Sequence, residues 1–367
     1  MFDQFVKEKS AYARVLHELL EDRKYSLGEP WQLTSESLSA VVPILQDAVG
    51  SRGYLVAQEV SPDKIRVTDS GQIGKLRVRI VDVEKPVFVR AGTIFKGQGT
   101  QSRASGTAMF LEPEEESLVN VFCVHASHGI SVGSHFSIES DIAPRKVEDV
   151  LTSPMKNQSR VWAAAGLRNR RASAASCPEC GSDRLMQSYD AELVCLHCGF
   201  VLPAVSTRNR FTGSVHPPSD AFADNLVANI QEMKEFNSRV EDVLSKVPAD
   251  LEKQVGMVMI DSKGVYGLEM FDHPDSWRAF SKSIVRNYTD VLARERARGG
   301  LFALKAERIP GTVEEFLQKA MHLSQNSAFK NRISETRILS GELIGEYSVL
   351  GHDLVHLILK RTAAADR

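Results

Sequence analysis

Cys177-Pro-Glu-Cys180 and Cys195-Leu-His-Cys198 are two Cys-x-x-Cys pairs, each followed by Gly, with fourteen residues between them. Thiolates at this spacing close a tetrahedral zinc site. Each pair spans one edge of the metal, and the Gly behind it permits the left-handed turn that aims backbone amides at sulfur. A disulfide framework does not suit them, because nothing marks the chain as secreted. A redox dithiol needs one pair opening a helix, not two matched pairs. The expected cofactor is structural Zn2+ held by Cys177, Cys180, Cys195 and Cys198. A four-cysteine site has no open coordination position, so the metal folds its segment and does no chemistry. His197, between two ligands, is read as a spectator.

A second stretch with chemical content runs Arg90-Ala-Gly-Thr-Ile-Phe-Lys-Gly-Gln-Gly-Thr-Gln-Ser-Arg103. Gly92 and Gly97 have the spacing of a phosphate-binding loop, but Gln98 stands where the lysine belongs and no helical period follows. A nucleotide-hydrolase P-loop is thereby excluded. Two readings stay open. In one, Lys96, Gly97, Gly99, Gln101 and Arg103 cradle a nucleotide-like anion with amides and a guanidinium. In the other, the glycines serve a tight β-turn and a nearby carboxylate satisfies Arg103.

Cys123 and His125 share a strand face, with His128 and His135 close behind, and His352 and His356 share a face of either a helix or a strand. No third group stands at a telling spacing beside Cys123, and no Glu occupies the base position of a zinc protease, so an inert core cysteine and core or surface histidines are expected. No acid–base pair or nucleophile triad is visible. The sequence assigns no catalytic residue and leaves open whether the protein is an enzyme.

These groups must be positioned by an ordinary globular chain: 367 residues, 43% hydrophobic and 25% charged, enough for one large core or two smaller ones. The net charge of -2 excludes a global basic field for nucleic acid. A lone Cys123 outside the zinc set, a charged amino terminus and the lack of a long apolar run predict a cytoplasmic protein that does not enter a membrane.

Residues 2–24 have the period of an amphipathic helix, ended by Gly28-Glu-Pro30. From Leu38 to about Phe136 alternation predicts a half-buried antiparallel sheet, with strands at 76–80, 86–90, 107–111, 119–125 and 130–132. Helices are expected over 219–247 and from Pro274. A hairpin is expected over 255–271 about Asp261-Ser-Lys-Gly264, a capping box at Thr312-Val-Glu-Glu315 should open a helix through His322, and strands should close the chain. Strands and helices without regular alternation predict an α+β fold, a largely antiparallel or mixed β core with packed helices. The basic, alanine-rich run Gly166–Ser176 and the segment Ser206–Pro218 read as linkers, so the ribbon looks inserted. The expected organisation is an N-terminal helix at 1–30, host domain at 31–172, zinc ribbon at 173–205 and the rest of the host at 206–363.

The ribbon carries Glu179, Asp183, Asp190 and Glu192 against Arg184. An acidic body suits protein docking better than phosphate contact. Its flanks hold Arg168, Arg170, Arg171, Arg208 and Arg210, which either touch nucleic acid non-specifically or stay solvated. From its Cys-Gly knuckles and the apolar residues after them, the ribbon resembles that of transcription factor IIB, which implies docking on RNA polymerase. The rest resembles a prokaryotic domain family named for its association with ADP-ribosylglycohydrolases and rhodanese-type phosphatases. The residues that carry this are Gly92-Thr-Ile-Phe-Lys-Gly97 with Gln101-Ser-Arg103, Gln158-Ser-Arg-Val-Trp162, Gly256-Met-Val-Met-Ile260, Gly267-Leu-Glu-Met-Phe271 and Leu354-Val-His356. That resemblance implies a link to ADP-ribose or nucleotide metabolism without an assigned reaction. The expectation is a cytosolic protein whose ribbon docks a protein partner, RNA polymerase being the partner the resemblance implies. The alternative is binding or processing of a nucleotide or ADP-ribose-type ligand at the Gly92–Arg103 loop.

Overall fold

The computed structural model of the chain describes residues 10–32, 40–72, 74–97, 100, 102–124, 135–164, 185–187, 193–195, 201–202, 251–261, 263–297 and 308–362. The strand expected at 130–132, the helices expected over 219–247, the two linkers and the start of the N-terminal helix lie outside them.

Helix α1 (Ala11–Leu20) buries Tyr12, Val15, Leu16 and Leu19 at helical spacing. It stops earlier than the sequence predicts, because Asp22 turns the chain through a positive φ of 49° before Gly28 is reached. Strands β1 (Tyr25–Leu27), β2 (Trp31–Gln32), β3 (Ala40–Gln46) and β4 (Leu55–Val56) follow. Then come β5 (Ile65–Asp69), β6 (Lys75–Ile80), β7 (Val87–Val89), β8 (Thr93–Gly97), β9 (Arg103–Ser105), β10 (Met109–Leu111), β11 (Glu116–Cys123) and β12 (His135–Ile142). Six of these close into a barrel in the order β11-β6-β5-β12-β8-β9.

The predicted alternation holds in β6, where Leu76, Val78 and Ile80 point inward and Arg77 and Arg79 outward. What the sequence reads as a half-buried sheet is closed on itself. One strand, β12, pairs with β5 at His135 and Phe136 and with β8 from Phe136 to Ile142, with a register shift in the β8 pairing between Ile138 and Ile142. Such a shift bends a strand and increases its local twist, which suits a sheet that closes on itself. Strands β7 and β10 pair antiparallel across the barrel side, with β4 parallel to β7. Val87 and Val89 face the barrel core, while Phe88 faces the other way into a second cluster.

Helices α2 (Arg145–Leu151) and α3 (Gln158–Ala164) cover the barrel wall. Strands β13 (Leu185–Gln187), β14 (Leu193–Cys195) and β15 (Val201–Leu202) form a separate three-stranded sheet. The last part holds β16 (Gln254–Asp261), β17 (Gly264–Phe271), α4 (Pro274–Ala297), α5 (Ile309–Ala320), β18 (Ser324–Lys330), β19 (Ser334–Ser340), β20 (Leu343–Leu350) and β21 (Asp353–Arg361). The hairpin β16–β17 is the expected one, and Gly264 takes the positive φ its turn requires. Helix α5 begins at Ile309 with Pro310 in its first turn. Thr312 therefore lies inside the helix and donates back to the Arg308 carbonyl at 2.8 Å instead of capping it.

Both ends of the chain build one nine-stranded antiparallel sheet, in the order β1-β3-β16-β17-β21-β20-β19-β18 with β2 added beside β3. Its two faces separate by the strand period of two. Val42, Ile44, Val258, Ile260, Leu268, Met270, Leu357 and Leu359 pack under α1 and α5. Val41, Met257, Met259 and Phe271 face α4 and the β7/β10 layer. Central strands buried on both faces explain why 254–271 reads as near-continuous apolar sequence. The fold is α+β.

Candidate functional site

The three-stranded sheet carries the candidate metal centre. Leu185 pairs with Cys195, Met186 with Val194 and Gln187 with Leu193, while β15 returns along β14. The first cysteine pair ends at Cys180, shortly before Leu185, and the second begins at Cys195. With Leu185 set opposite Cys195 by the register, this order is compatible with a two-knuckle zinc ribbon. Cys177, Cys180 and Cys198 lie outside the described residues, so the fit to Zn2+ rests on the donor set and this register. Among the described residues no group of three or more His, Cys, Asp or Glu stands together as metal ligands.

The Gly92–Arg103 loop joins β8 to β9. Lys96 is exposed, 3.6 Å from Glu139, and Ser102 Oγ accepts from the Gly97 amide at 3.4 Å. Gly99 and Gln101 lie outside the described residues. Arg103 is fully buried, pairs with Asp69 at 2.5 Å and donates to the Lys75 carbonyl at 3.1 Å. Its guanidinium carbon lies 5.3 Å from the centre of the Phe136 ring. Asp69 is thus the carboxylate partner that one of the two sequence readings of Arg103 calls for.

Cys123 ends β11 in the interior, and burial pushes its thiol pKa up. Gln158 Oε1 accepts from the Cys123 amide at 2.9 Å, so the start of the Gln158–Trp162 segment closes the open end of that strand. His135 is exposed at the start of β12, and His125 and His128 lie outside the described residues. His352 and His356 part company: the first is exposed in the turn before β21, the second fully buried within it.

His356 belongs to a group the sequence does not reveal. Arg90, at the end of β7, donates through Nε to Glu269 Oε1 of β17 at 2.6 Å and through Nη2 to Glu148 of α2. His356 Nε2 meets the same Glu269 oxygen at 3.0 Å. Arg145 Nη1 reaches Glu148 at 3.2 Å, and Lys360 reaches Asp149 at 3.0 Å and Thr152 Oγ1 at 3.0 Å. Period-two alternation puts Glu269, His356 and Lys360 on one sheet face, and that face meets the barrel and α2. Burial works against the Glu269 carboxylate, but the Arg90 charge, with the hydrogen bond and charge of His356, outweighs it and holds this carboxyl well below its usual range. Burial lowers the Lys360 pKa, and Arg145 beside it adds to that. The network locks two layers together; its three carboxylates, Glu269, Glu148 and Asp149, are each held by a guanidinium group.

A different set lines an open cleft of about 400 Å3 between α1 and the ends of β3, β17 and β21. Asp272, just past β17, accepts from the Tyr54 hydroxyl, which also contacts Ser276 Oγ at 2.7 Å. Arg52 reaches Ser276 Oγ at 3.2 Å and Glu59 at 2.6 Å. Burial pushes the Asp272 pKa up to about 6, against the lowering effect of the Tyr54 hydrogen bond. A carboxyl moved to such a value inside a cleft is what binding and proton-transfer sites are built from. In the sequence Asp272 sits inconspicuously between a strand and the Pro that opens α4, and its partners come from segments far along the chain.

The chain matches, over residues 24–360, the family described as ARG and Rhodanese-Phosphatase-superfamily-associated Protein domain. No curated protein and no solved structure matches it.

Proposed function

The chain belongs to the ARG and Rhodanese-Phosphatase-superfamily-associated Protein domain family, and on that premise we propose that it is a cytoplasmic binding protein whose inserted zinc ribbon docks a protein partner. What supports this reading is the register of the β13–β14 hairpin, which sets Leu185, shortly after Cys180 in the sequence, opposite Cys195. Zn2+ held by Cys177, Cys180, Cys195 and Cys198 would order a segment of three strands of only two or three residues each, too short to hold together without a staple. The acidic ribbon sequence, with Glu179, Asp183, Asp190 and Glu192, favours a basic protein face over nucleic acid, and RNA polymerase is the first partner to test. Among the described residues no helix is long and apolar enough to cross a membrane.

The test compares the intact protein with a Cys195→Ser/Cys198→Ser variant in affinity purification from native extract, with zinc content and solubility measured for each. The expected result is about one zinc ion per intact chain and polymerase subunits or another discrete partner retained only by the intact form. The same companions on both forms, or none on either, would overturn docking through the ribbon.

A further inference from the structure

The cleft beside Asp272 carries more acceptors than its own donors satisfy. Its floor is made by Tyr25, Gln46 and Leu354, all buried. Gln46 is 4% exposed, and its side-chain oxygen has no hydrogen-bond partner among the described residues. A buried amide oxygen in that state is costly, and a ligand N–H is the natural way to satisfy it. Above it stand three carboxylates, Glu18 from α1, Asp272 from the end of β17 and Asp353 from the start of β21. All three lie close enough to Tyr25 to raise its phenol further, after burial itself.

The cations around the rim place their hydrogen bonds elsewhere, while the charges of Lys24 and Arg52 act on Asp272 from a distance. Arg52 is held by Glu59 and Ser276, and Arg14 donates to the His352 carbonyl at 3.3 Å. His273 uses Nε2 on the Gly50 carbonyl at 3.1 Å and accepts the Asp275 amide at Nδ1. Lys24 alone leans over the cleft floor, its ammonium 5.2 Å from the centre of the Tyr25 ring. That contact shows what the floor attracts: an ammonium group against an aromatic face with carboxylates around it.

We propose that this cleft binds a ligand through a primary ammonium group that donates to Gln46 Oε1 and lies in the field of Asp272, Glu18 and Asp353 beside the Tyr25 ring. A divalent metal is the poorer occupant, since among the described residues no three ligating side chains converge closely enough to hold one. A phosphate or carboxylate is poorer still: the arginines of the lining, Arg14 and Arg52, are already engaged, and an anion would face three carboxylates and an amide oxygen that cannot donate. The volume of about 400 Å3 suits the end of an extended aliphatic amine or one lysine side chain of a polypeptide. Lys24 is then an internal competitor for the aromatic face, and removing it strengthens binding. This inference is independent of the ribbon.

Isothermal titration of the full-length protein with 1,4-diaminobutane, with spermidine and with an acetylated, amidated Gly-Lys-Gly tripeptide tests it, with inorganic phosphate as the counter-probe. The expected result is saturable binding of at least one amine and none of phosphate. Affinity should fall by about 3- to 10-fold in Glu18→Gln, be lost in Gln46→Leu and rise in Lys24→Met, with circular dichroism verifying that each variant is folded. Preference for the tripeptide assigns the ammonium to a polypeptide, and preference for the free amines assigns it to a small molecule; both support the site. No binding by any amine at millimolar concentration overturns the proposal. So does amine binding indifferent to both Glu18→Gln and Gln46→Leu, or phosphate binding that disappears in Lys24→Met.

Discussion

Arg90 and Glu269 are 179 residues apart in the chain and meet at 2.6 Å, both side chains fully buried. One belongs to the barrel side of the molecule and the other to the large sheet, so the pair fastens these two layers together. Removing Arg90 leaves Glu269 and Glu148 as buried carboxylates without their shared guanidinium. Arg90→Met should therefore destabilise the protein by about 3–5 kcal/mol at neutral pH, measured by urea unfolding with tryptophan fluorescence. The loss should shrink in acid. In the intact protein the Glu269 pKa is depressed, so its contribution is present above the ordinary carboxylate pKa of 4.5 and is lost as pH falls through the lower folded value. In Arg90→Met burial dominates and protonation relieves the unpaired carboxylate. The two unfolding curves should approach each other below about pH 4.5, and a gap that widens there would show the charge assignment to be wrong.

Arg103 and Asp69 make a buried pair of their own, inside the barrel. Arg103→Met should cost about 3–5 kcal/mol, and adding Asp69→Leu should restore much of it, because a buried pair replaced by packed apolar groups is often neutral. A double-mutant cycle by chemical denaturation measures this. If Arg103→Met left stability unchanged, the side chain would not be structural, and its assignment to an anion at the Gly92–Arg103 loop would gain.

How far the sequence carries depends on how local each determinant is. The hairpin β16–β17, helix α4 and the strand alternation in β6 follow from period and turn residues within a few positions of each other. Barrel closure does not, because it depends on β11 pairing with β9 and on a register shift in β12, neither of which leaves a local mark. The family-like segments around Gly92, Gly267–Phe271 and Leu354–His356 were legible as motifs, yet their shared purpose was hidden: Arg90, Glu269 and His356 meet only in three dimensions. One signal was available. Glu269 sits in Gly-Leu-Glu-Met-Phe and His356 in Leu-Val-His-Leu-Ile, and an ionisable residue within an apolar strand run requires a buried partner. Asp272 and Gln46 gave no such sign, since each lies at a strand end where polar residues are ordinary.

Gly345 in β20 lies against β21 so closely that a β-carbon there would sit 1.9 Å from the Ile358 carbonyl oxygen. The obstacle is backbone of a central, doubly covered strand, which cannot swing aside as a side chain would. Gly345→Ala should lower stability by about 2–4 kcal/mol, read as a drop in thermal midpoint. At Gly311, where a β-carbon would meet nothing within 4 Å, the same change sits in the first turn of α5 and should be neutral to mildly stabilising. Equal effects at the two positions would refute the packing argument.

Asp272 sets the opposite sign of pH dependence from Glu269. Burial raises its pKa from 3.8 to about 6, so the folded protein holds a proton there that the unfolded chain has already released. Between about pH 4 and 6 the folded state binds more protons at this group, and stability should therefore decline as pH rises across that window, by on the order of 1–3 kcal/mol. Tyr54 restrains the shift by donating to the carboxylate, so Tyr54→Phe should move the titration upward and extend the decline toward neutral pH. Asp272→Asn removes the titrating group while keeping its shape, and should flatten the decline within the same window. Urea unfolding at half-unit steps from pH 4 to 7 on the three proteins decides it. A wild-type curve that already matches Asp272→Asn would mean that Asp272 is ionised at its ordinary pKa and that the cleft does not desolvate it.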